Sequence, residues 1–271
     1  MLEDSSVATA VGSVPLAGDW VGHLRNHELA RIREFLPSSG KVLDFGAGAG
    51  YQALQLQELG FDVDAVDLAA SPHVAKRVFP VRAYDGRTLP FPDAHFDLVM
   101  SSNVLEHVED LPRALSELTR VLKPQGLMLH VLPSASWRLW SSLAEFPAVP
   151  RNFVRSLRSG PVGRWAHTSV SRPQWTLLQL ARPIRPFLFR PHGTGGNALT
   201  ELWTFSRFSW LRRFTSQGYE VLHIKSLRLW YTGENLLGQR LSLACRTRMA
   251  AWLGSATILY VIRAASTSSH Q

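Results

Sequence analysis

A chain of 271 residues with 45% hydrophobic content can bury a full core, and its single cysteine, Cys245, excludes an internal disulfide and a cysteine-rich metal site. Its net charge of +8 conceals two halves of opposite sign: 11 Lys+Arg stand against 17 Asp+Glu up to Pro133, and 18 against 4 from Ser134 onward. No apolar run reaches the length needed to cross a bilayer; the nearest, Met249 to Ile262, is interrupted by Gly254, Ser255 and Thr257 and has the length of a core element.

Met1-Leu2-Glu3-Asp4-Ser5-Ser6 lacks the basic start and apolar core of a signal peptide, so a reducing, cytoplasmic setting is expected. Residues 1–19 are small and polar and are expected to be poorly ordered. From Trp20 a helix is predicted, with Val21, Leu24, Leu29, Ile32, Phe35 and Leu36 in an approximate helical stripe and Pro37-Ser38-Ser39-Gly40 ending it. Lys41-Val42-Leu43-Asp44-Phe45 reads as a buried strand running into the turn Gly46-Ala47-Gly48-Ala49-Gly50, whose glycines remove the Cβ atoms that would keep a ligand away. A helix follows from Tyr51 to Leu59, stopped by Gly60. Strand, glycine loop and helix N-terminus form the first half of a nucleotide-type site, although the same loop also serves as a plain tight turn.

Phe61 to Val66 is the second strand, and Asp67 at its tip stands where a carboxylate accepts hydrogen bonds from both hydroxyls of a ribose. That spacing suits a nicotinamide dinucleotide as well as S-adenosylmethionine. Tyr51 and Gln52, however, occupy the region where a dinucleotide fingerprint carries its third glycine. Ser71-Pro72 predicts a helix to about Val78, with Ser71 as its cap, and Val81 to Tyr84 a short third strand before Asp85-Gly86. Phe96 to Ser101 is the fourth strand, Leu111 to Leu122 a helix with an apolar stripe, and Leu127 to Leu132 the fifth strand, entered through the turn Lys123-Pro124-Gln125-Gly126.

Phe96-Asp97-Leu98-Val99-Met100-Ser101-Ser102-Asn103-Val104-Leu105-Glu106-His107-Val108, followed by Leu118-Thr119-Arg120-Val121-Leu122-Lys123-Pro124-Gln125-Gly126, resembles the class I S-adenosylmethionine-dependent methyltransferases. The likeness is nearest the branch holding ubiquinone and menaquinone biosynthesis enzymes and many small-molecule methyltransferases. With the glycine loop and Asp67 it covers residues 41 to 133. It implies an α/β, Rossmann-like, seven-stranded, mostly parallel sheet with flanking helices and a substrate-binding insertion between strands five and six.

The resemblance also implies S-adenosylmethionine as cofactor, with the loop Gly46, Ala47, Gly48 and Gly50 at its methionine part, Asp67 at the ribose, Asp85-Gly86 at the adenine, and Asp44 and Leu68 as further cofactor contacts. Asp-Gly is equally a common turn pair. Ser102, Asn103 and His107 fall beyond the fourth strand, toward the reactive end, where His107 has the near-neutral pKa of a general base and also suits a structural hydrogen bond. Trp20, His23 and Arg25 lie on a leading helix that covers the cofactor in the resembling enzymes. Some quinone-pathway relatives hold a divalent metal with a glutamate where this chain has Asn103, so no required metal is expected.

Residues 20–133 are thus expected to form the cofactor part, 134–204 a basic, Trp- and Pro-rich substrate insertion, and 205–271 the part completing the sheet. Within the insertion, Trp137, His192 and Asn197 are the candidate acceptor contacts; His167 and the loop Gly193 to Asn197 are its other reactive or flexible features. Phe205 to Gln217 is predicted as a helix with Phe208, Leu211 and Phe214 inward and Arg212 and Arg213 toward solvent. Tyr219 to Ile224 and Thr257 to Ile262 read as the last two strands, with Trp230, Tyr231 and the turn Gly233-Glu234-Asn235 between them.

Function divides three ways. The leading reading is methyl transfer to a small-molecule, lipid-linked or glycan-linked acceptor. The pattern from His130 to Ser134 and from Gly196 to Trp203 adds a likeness to bacterial methyltransferases of cell-surface glycan and secondary-metabolite pathways. A nucleic-acid methyltransferase would use the arginine-rich half, but no Asn-Pro-Pro-Tyr type motif is present, so nucleic acid is not the expected partner. A non-catalytic cofactor module would dock that half on an anionic membrane or partner protein. The basic half also fits an ordinary solvated face, and peripheral contact with the inner face of a membrane is the further expectation.

Overall fold

The computed structural model describes residues 20–145, 192, 193, 195, 197–232 and 240–265. The expectations for residues 1–19, His167, most of the arginine- and proline-rich insertion and the turn Gly233-Glu234-Asn235 lie outside the described residues. Two compact units emerge: the first takes in 1–132, 214–227 and 259–271, and the second 133–213 and 228–258.

The first unit is built on a seven-stranded sheet of order β3-β2-β1-β4-β5-β7-β6. The strands are β1 (Lys41–Phe45), β2 (Asp62–Leu68), β3 (Arg82–Tyr84), β4 (Phe96–Ser102), β5 (Leu122–Pro133), β6 (Tyr219–Ser226) and β7 (Thr257–Ala264). β1 pairs in parallel with β2 on one side and β4 on the other, β2 with β3, and β4 with β5. Strand order therefore reverses between β1 and β4, and their carboxyl ends open the crevice in which such sheets hold ligands. Val42, Leu43, Leu98, Val99 and Met100 are fully buried, as strands covered on both faces require.

Helix α1 (Trp20–Ile32) buries Leu24, Leu29 and Ile32, and α2 (Tyr51–Glu58) buries Ala53 and Leu56. Helix α3 (Leu111–Val121) buries Leu111, Leu115, Leu118 and Val121 at helical spacing, with Asp110 capping it by accepting from the Arg113 N–H at 3.1 Å. Arg120 on α3 donates to the carbonyls of Leu89 and Phe91 and pairs with Asp93 at 2.7 Å, which holds the loop before β4.

Two expectations for this unit are corrected. The helix from Ser71 to Val78 is reduced to a 3₁₀ turn at Val74–Lys76. Val74 and Val78 are exposed, so there is no apolar stripe to bury, and the Ser71 hydroxyl donates to Asp67 Oδ2 at 2.7 Å instead of capping a helix. β5 begins at Leu122, so Lys123-Pro124-Gln125-Gly126 belongs to the strand; an irregular register opposite Phe96 and Leu98 absorbs the extra residues. A Cβ on Gly126 would lie 2.6 Å from Leu122 Cγ, which fits glycine at this crowded point.

In the second unit, α4 (Ala135–Glu145) and α5 (Ala198–Thr204) pack around Trp137, Phe205 and Ala256, with Tyr231 against them. Trp140 Nε1 donates to the Leu253 carbonyl at 2.8 Å, at the end of α7 (Leu243–Leu253). Helix α6 (Arg207–Thr215) carries a third correction. Its buried residues include Trp210 and Phe214, whereas Phe208 and Leu211 face outward, and Arg213 lies over the Trp210 ring at 4.7 Å. The predicted 205–217 helix is one helix, shorter at both ends: Phe205 and Ser206 lie in the turn after α5, and α6 runs from Arg207 to Thr215. Among the described residues, no helix is long and apolar enough to cross a membrane.

Candidate functional site

The glycine loop leaves β1 at its carboxyl end and is tied to the neighbouring strand by the N–H groups of Gly46 and Ala47, both donating to the Val66 carbonyl at 2.9 and 3.0 Å. Gly50 donates to the Ala47 carbonyl at 2.8 Å, closing the turn directly before α2. Gly46 (φ +74°) and Gly50 (φ +83°) are left-handed. A Cβ on Gly46 would approach Val104 Cγ2 to 2.5 Å, and one on Gly50 would reach Phe79 Cβ at 2.6 Å. Both positions therefore demand glycine on backbone and steric grounds together.

At the root of this loop Asp44 is buried, and burial pushes its carboxyl up to about 7; the Ala53 backbone N–H and the charge of Arg25 act against that rise. Asp44 Oδ2 has no hydrogen-bond partner. Asp67, at the tip of β2, accepts from the Leu68 N–H at 2.8 Å and the Ser71 hydroxyl at 2.7 Å, which leaves a second lone pair on each oxygen. Leu68 is exposed, and a Cβ on Gly86 would meet its Cδ2 at 3.1 Å, so the tips of β2 and β3 bring an apolar side chain beside a bare backbone. Asp85 is fully exposed and closes its own turn: Oδ1 accepts from Thr88 N–H at 2.9 Å and Arg87 N–H at 2.8 Å, and these bonds lower its pKa.

At the end of β4, Ser102 and the following Asn103 join residues of α1. Arg25 Nη1 lies 2.5 Å from Glu28 Oε2 and donates to Ser102 Oγ at 2.8 Å. Asn103 holds a left-handed backbone (φ 55°), and in the amide orientation that satisfies its neighbours its oxygen accepts from Arg25 Nη1 at 2.6 Å and Nη2 at 3.1 Å. Glu106 follows on a 3₁₀ turn, buried, and desolvation raises its carboxyl to about 8. His107 is half-exposed with Nε2 at 3.7 Å from Glu106 Oε1, an ion-pair distance too long for a hydrogen bond. Three buried carboxyl groups, Glu28, Asp44 and Glu106, thus gather at the carboxyl ends of β1 and β4 and the facing side of α1. Arg25 is the cation whose charge lowers the pKa of both Asp44 and Glu106.

Sequence reasoning reached Arg25 as a helix residue over the site but passed over Glu28. An acid on an amphipathic helix ordinarily meets solvent; the one available signal is its i,i+3 spacing from Arg25. In the second unit Trp137 and His192 do come together, with ring centroids 4.5 Å apart. Asn197 caps α5, its oxygen accepting from the N–H groups of Leu199 and Thr200 at 2.9 and 3.0 Å. The unforeseen element there is Glu201, which accepts from the backbone N–H groups of His192 and Gly193 at 2.6 and 2.7 Å. Arg138 Nε lies 2.6 Å from Glu201 Oε2, forming a buried ion pair.

A family model described as a methyltransferase domain matches residues 21–224 of this chain. The chain belongs to that methyltransferase family. It is a class I S-adenosylmethionine-dependent member, as the motifs from Phe96 to Gly126 imply. Malonyl-[acyl-carrier protein] O-methyltransferase of Halorhodospira halophila is 41% identical over 110 residues, covering 37% of this chain and 37% of that protein. The biotin biosynthesis bifunctional protein BioHC of Saccharophagus degradans is 33% identical over 132 residues, 45% of this chain and 24% of that protein. The chain therefore spans well under half the length of these curated relatives. A solved S-adenosylmethionine-dependent methyltransferase from Mesorhizobium loti has a TM-score of 0.50 at 18% identity, over 88% of this chain and 97% of its own, which speaks to the fold.

S-adenosylmethionine is the cofactor of this family, and the residues present fit it. The loop would lose its bare backbone to any Cβ, and the buried, unpartnered Asp44 Oδ2 suits a cationic ligand group.

The raised carboxyls have a consequence for stability. Between the ordinary values of 4.5 for Glu106 and 3.8 for Asp44 and the folded values of about 8 and about 7, the folded chain holds protons that the unfolded chain has released. Stability of the ligand-free protein therefore falls as pH rises through that window. Glu106→Gln removes one of the two contributions, so its melting temperature should decline less steeply from pH 5 to 8 than that of the parent. Parallel melting curves would show that Glu106 does not titrate as its burial requires.

Proposed function

We propose that the chain transfers a methyl group from S-adenosylmethionine to a nucleophilic atom of a small-molecule, lipid-linked or glycan-linked acceptor. The observation that carries this is the loop Gly46 to Gly50, anchored to Val66 one residue before Asp67, so that a Cβ-free backbone and a strand-tip carboxylate share one crevice. The sulfonium supplies an already activated methyl, so the protein's task is chiefly to hold donor and acceptor in line.

In this reading Gly46, Ala47, Gly48 and Gly50 receive the methionine part with Asp44 facing its positive charge. Asp67 accepts the ribose hydroxyls, and Leu68 and Gly86 flank the adenine beside Asp85. Arg25 fixes Ser102 and Asn103 at the reactive end, and His107, whose ring reaches solvent, takes the proton that the acceptor releases. Trp137, His192 and Asn197 are the proposed acceptor contacts of the second unit. Names of curated relatives ending in O-methyltransferase favour an oxygen acceptor. A cytoplasmic location with peripheral membrane contact accords with a lipid-linked acceptor and with the excess of arginine after Ser134.

The direct test incubates the protein with methyl-labelled S-adenosylmethionine and a cell extract, then separates lipid, small-molecule, protein and nucleic-acid fractions. Label in the lipid or small-molecule fraction is expected. Label confined to nucleic acid would replace this reading with the nucleic-acid one, and none anywhere would favour a non-catalytic module. Asp67→Ala should weaken S-adenosylmethionine binding by roughly tenfold or more, the loss of about two hydrogen bonds to a charged acceptor. Unchanged affinity in a calorimetric titration would remove Asp67 from the site.

A further inference from the structure

Within the second unit, α5 and α6 each carry large apolar residues on the outward face and also bury apolar residues on the other. On α5, Ala198 and Glu201 are buried while Leu199 and Trp203, one turn apart, are 53% and 59% exposed. On α6, Ser209 and Trp210 are buried while Phe208 and Leu211 are 59% and 37% exposed. The Trp203 and Phe208 rings lie 5.5 Å apart, so the outward side chains of the two helices meet in one strip. Scattered surface apolar residues need no explanation, but a joined strip of this kind marks an interaction surface.

The exposed charges of these two helices are of one sign. Arg207 and Arg212 are exposed on α6 beside Phe208 and Leu211, and Glu201, the one acid in the sequence of these two helices, is buried against Arg138. An apolar strip edged by guanidinium groups, on two helices that expose no acid, complements a surface that offers apolar depth beneath anionic groups. Trp and Phe settle at the boundary between headgroups and acyl chains, while arginine reaches phosphate on a long apolar stem.

We propose that the outward face of α5 and α6 docks the chain on an anionic lipid surface, with Leu199, Trp203, Phe208 and Leu211 entering the headgroup boundary and Arg207 and Arg212 contacting lipid phosphates. This rests on the peripheral membrane contact proposed above and names the surface that makes it. Docking needs no methyl transfer, so the two readings fail separately.

The test is sedimentation of the full chain with vesicles of phosphatidylcholine alone or mixed with phosphatidylglycerol. The protein should sediment with the mixed vesicles and scarcely with phosphatidylcholine. Trp203→Ser combined with Phe208→Ser should abolish sedimentation while leaving the melting temperature and S-adenosylmethionine affinity unchanged. Arg207→Ser combined with Arg212→Ser should weaken binding about thirtyfold at low salt, given the contribution of each basic group near such a surface. Trp252→Ser, which removes a tryptophan 91% exposed on α7, should bind as the parent does. Failure of the parent to bind mixed vesicles, equal binding to both kinds, or an equal loss from Trp252→Ser would overturn the proposal. So would self-association abolished by the Trp203/Phe208 pair without vesicle binding, which would assign the face to a second copy of the chain.

Discussion

Gly46→Ala is expected to cost the chain roughly 2–5 kcal/mol and to abolish measurable S-adenosylmethionine binding. Two independent penalties add. The left-handed backbone at φ +74° disfavours any residue with a Cβ, and that Cβ would stand 2.5 and 2.6 Å from the two methyls of Val104. Val104 directly precedes the 3₁₀ turn bearing Glu106 and His107, so displacing it disturbs both ends of the site. The penalties can be separated. Gly46→Ala with Val104→Ala relieves the clash but not the backbone, and should recover part of the lost stability in urea unfolding. A single variant within about 0.5 kcal/mol of the parent would mean that the loop relaxes freely.

Arg25→Met should be comparably damaging, at about 3–5 kcal/mol, because it leaves buried carboxylates without the cation that faces them. Glu28 is fully buried with its Oε2 at 2.5 Å from Arg25 Nη1, and the same guanidinium bonds Ser102 and Asn103. The loss is therefore electrostatic and positional together: buried Glu28 loses the guanidinium paired with it, and Ser102 and Asn103 lose their bonds to Arg25, although Ser102 Oγ still lies 3.4 Å from Glu28 Oε2. Arg25→Met with Glu28→Gln removes the charge while keeping the shape, and should be more stable than Arg25→Met alone. A strictly additive double variant would show that the pair is not coupled in the folded state.

Much of the first unit is legible in the sequence because its strands are covered on both faces. Val42 to Phe45 and Phe96 to Met100, each interrupted by one aspartate, and the apolar Ile258 to Ile262 are runs too short for helices and bounded by glycine or polar turns. The cofactor loop is legible for a related reason, since alternate glycines have few uses besides a turn that must stay bare. Helix α6 is less transparent. Phe208, Leu211 and Phe214 make one helical stripe and Trp210 with Phe214 another; spacing alone does not say which one packs, and the structure buries the second. The helix expected after Ser71 is absent because a good cap followed by proline starts a helix only where an apolar face can be buried behind it. Glu28 and the Arg138–Glu201 pair escape the local pattern because part of what they meet lies on other segments: Glu28, paired with Arg25 on its own helix, also meets Ser102 of β4, and Glu201 on α5 meets Arg138 on α4. Local pattern does not record such meetings.

The order of the sheet carries a further consequence for how the molecule is made. β7, the latest strand in sequence, does not lie at an edge but between β5 and β6. β6 therefore leaves the ribosome with no neighbour to join, and β5 waits with an open flank until residues 257–264 arrive. Sheet closure is consequently a late, long-range step whose loop-closure entropy is met only once synthesis has passed β7. Until then the edges of β5 and β6 that β7 will join stay unpaired, and an unpaired strand edge is a template for pairing with another chain.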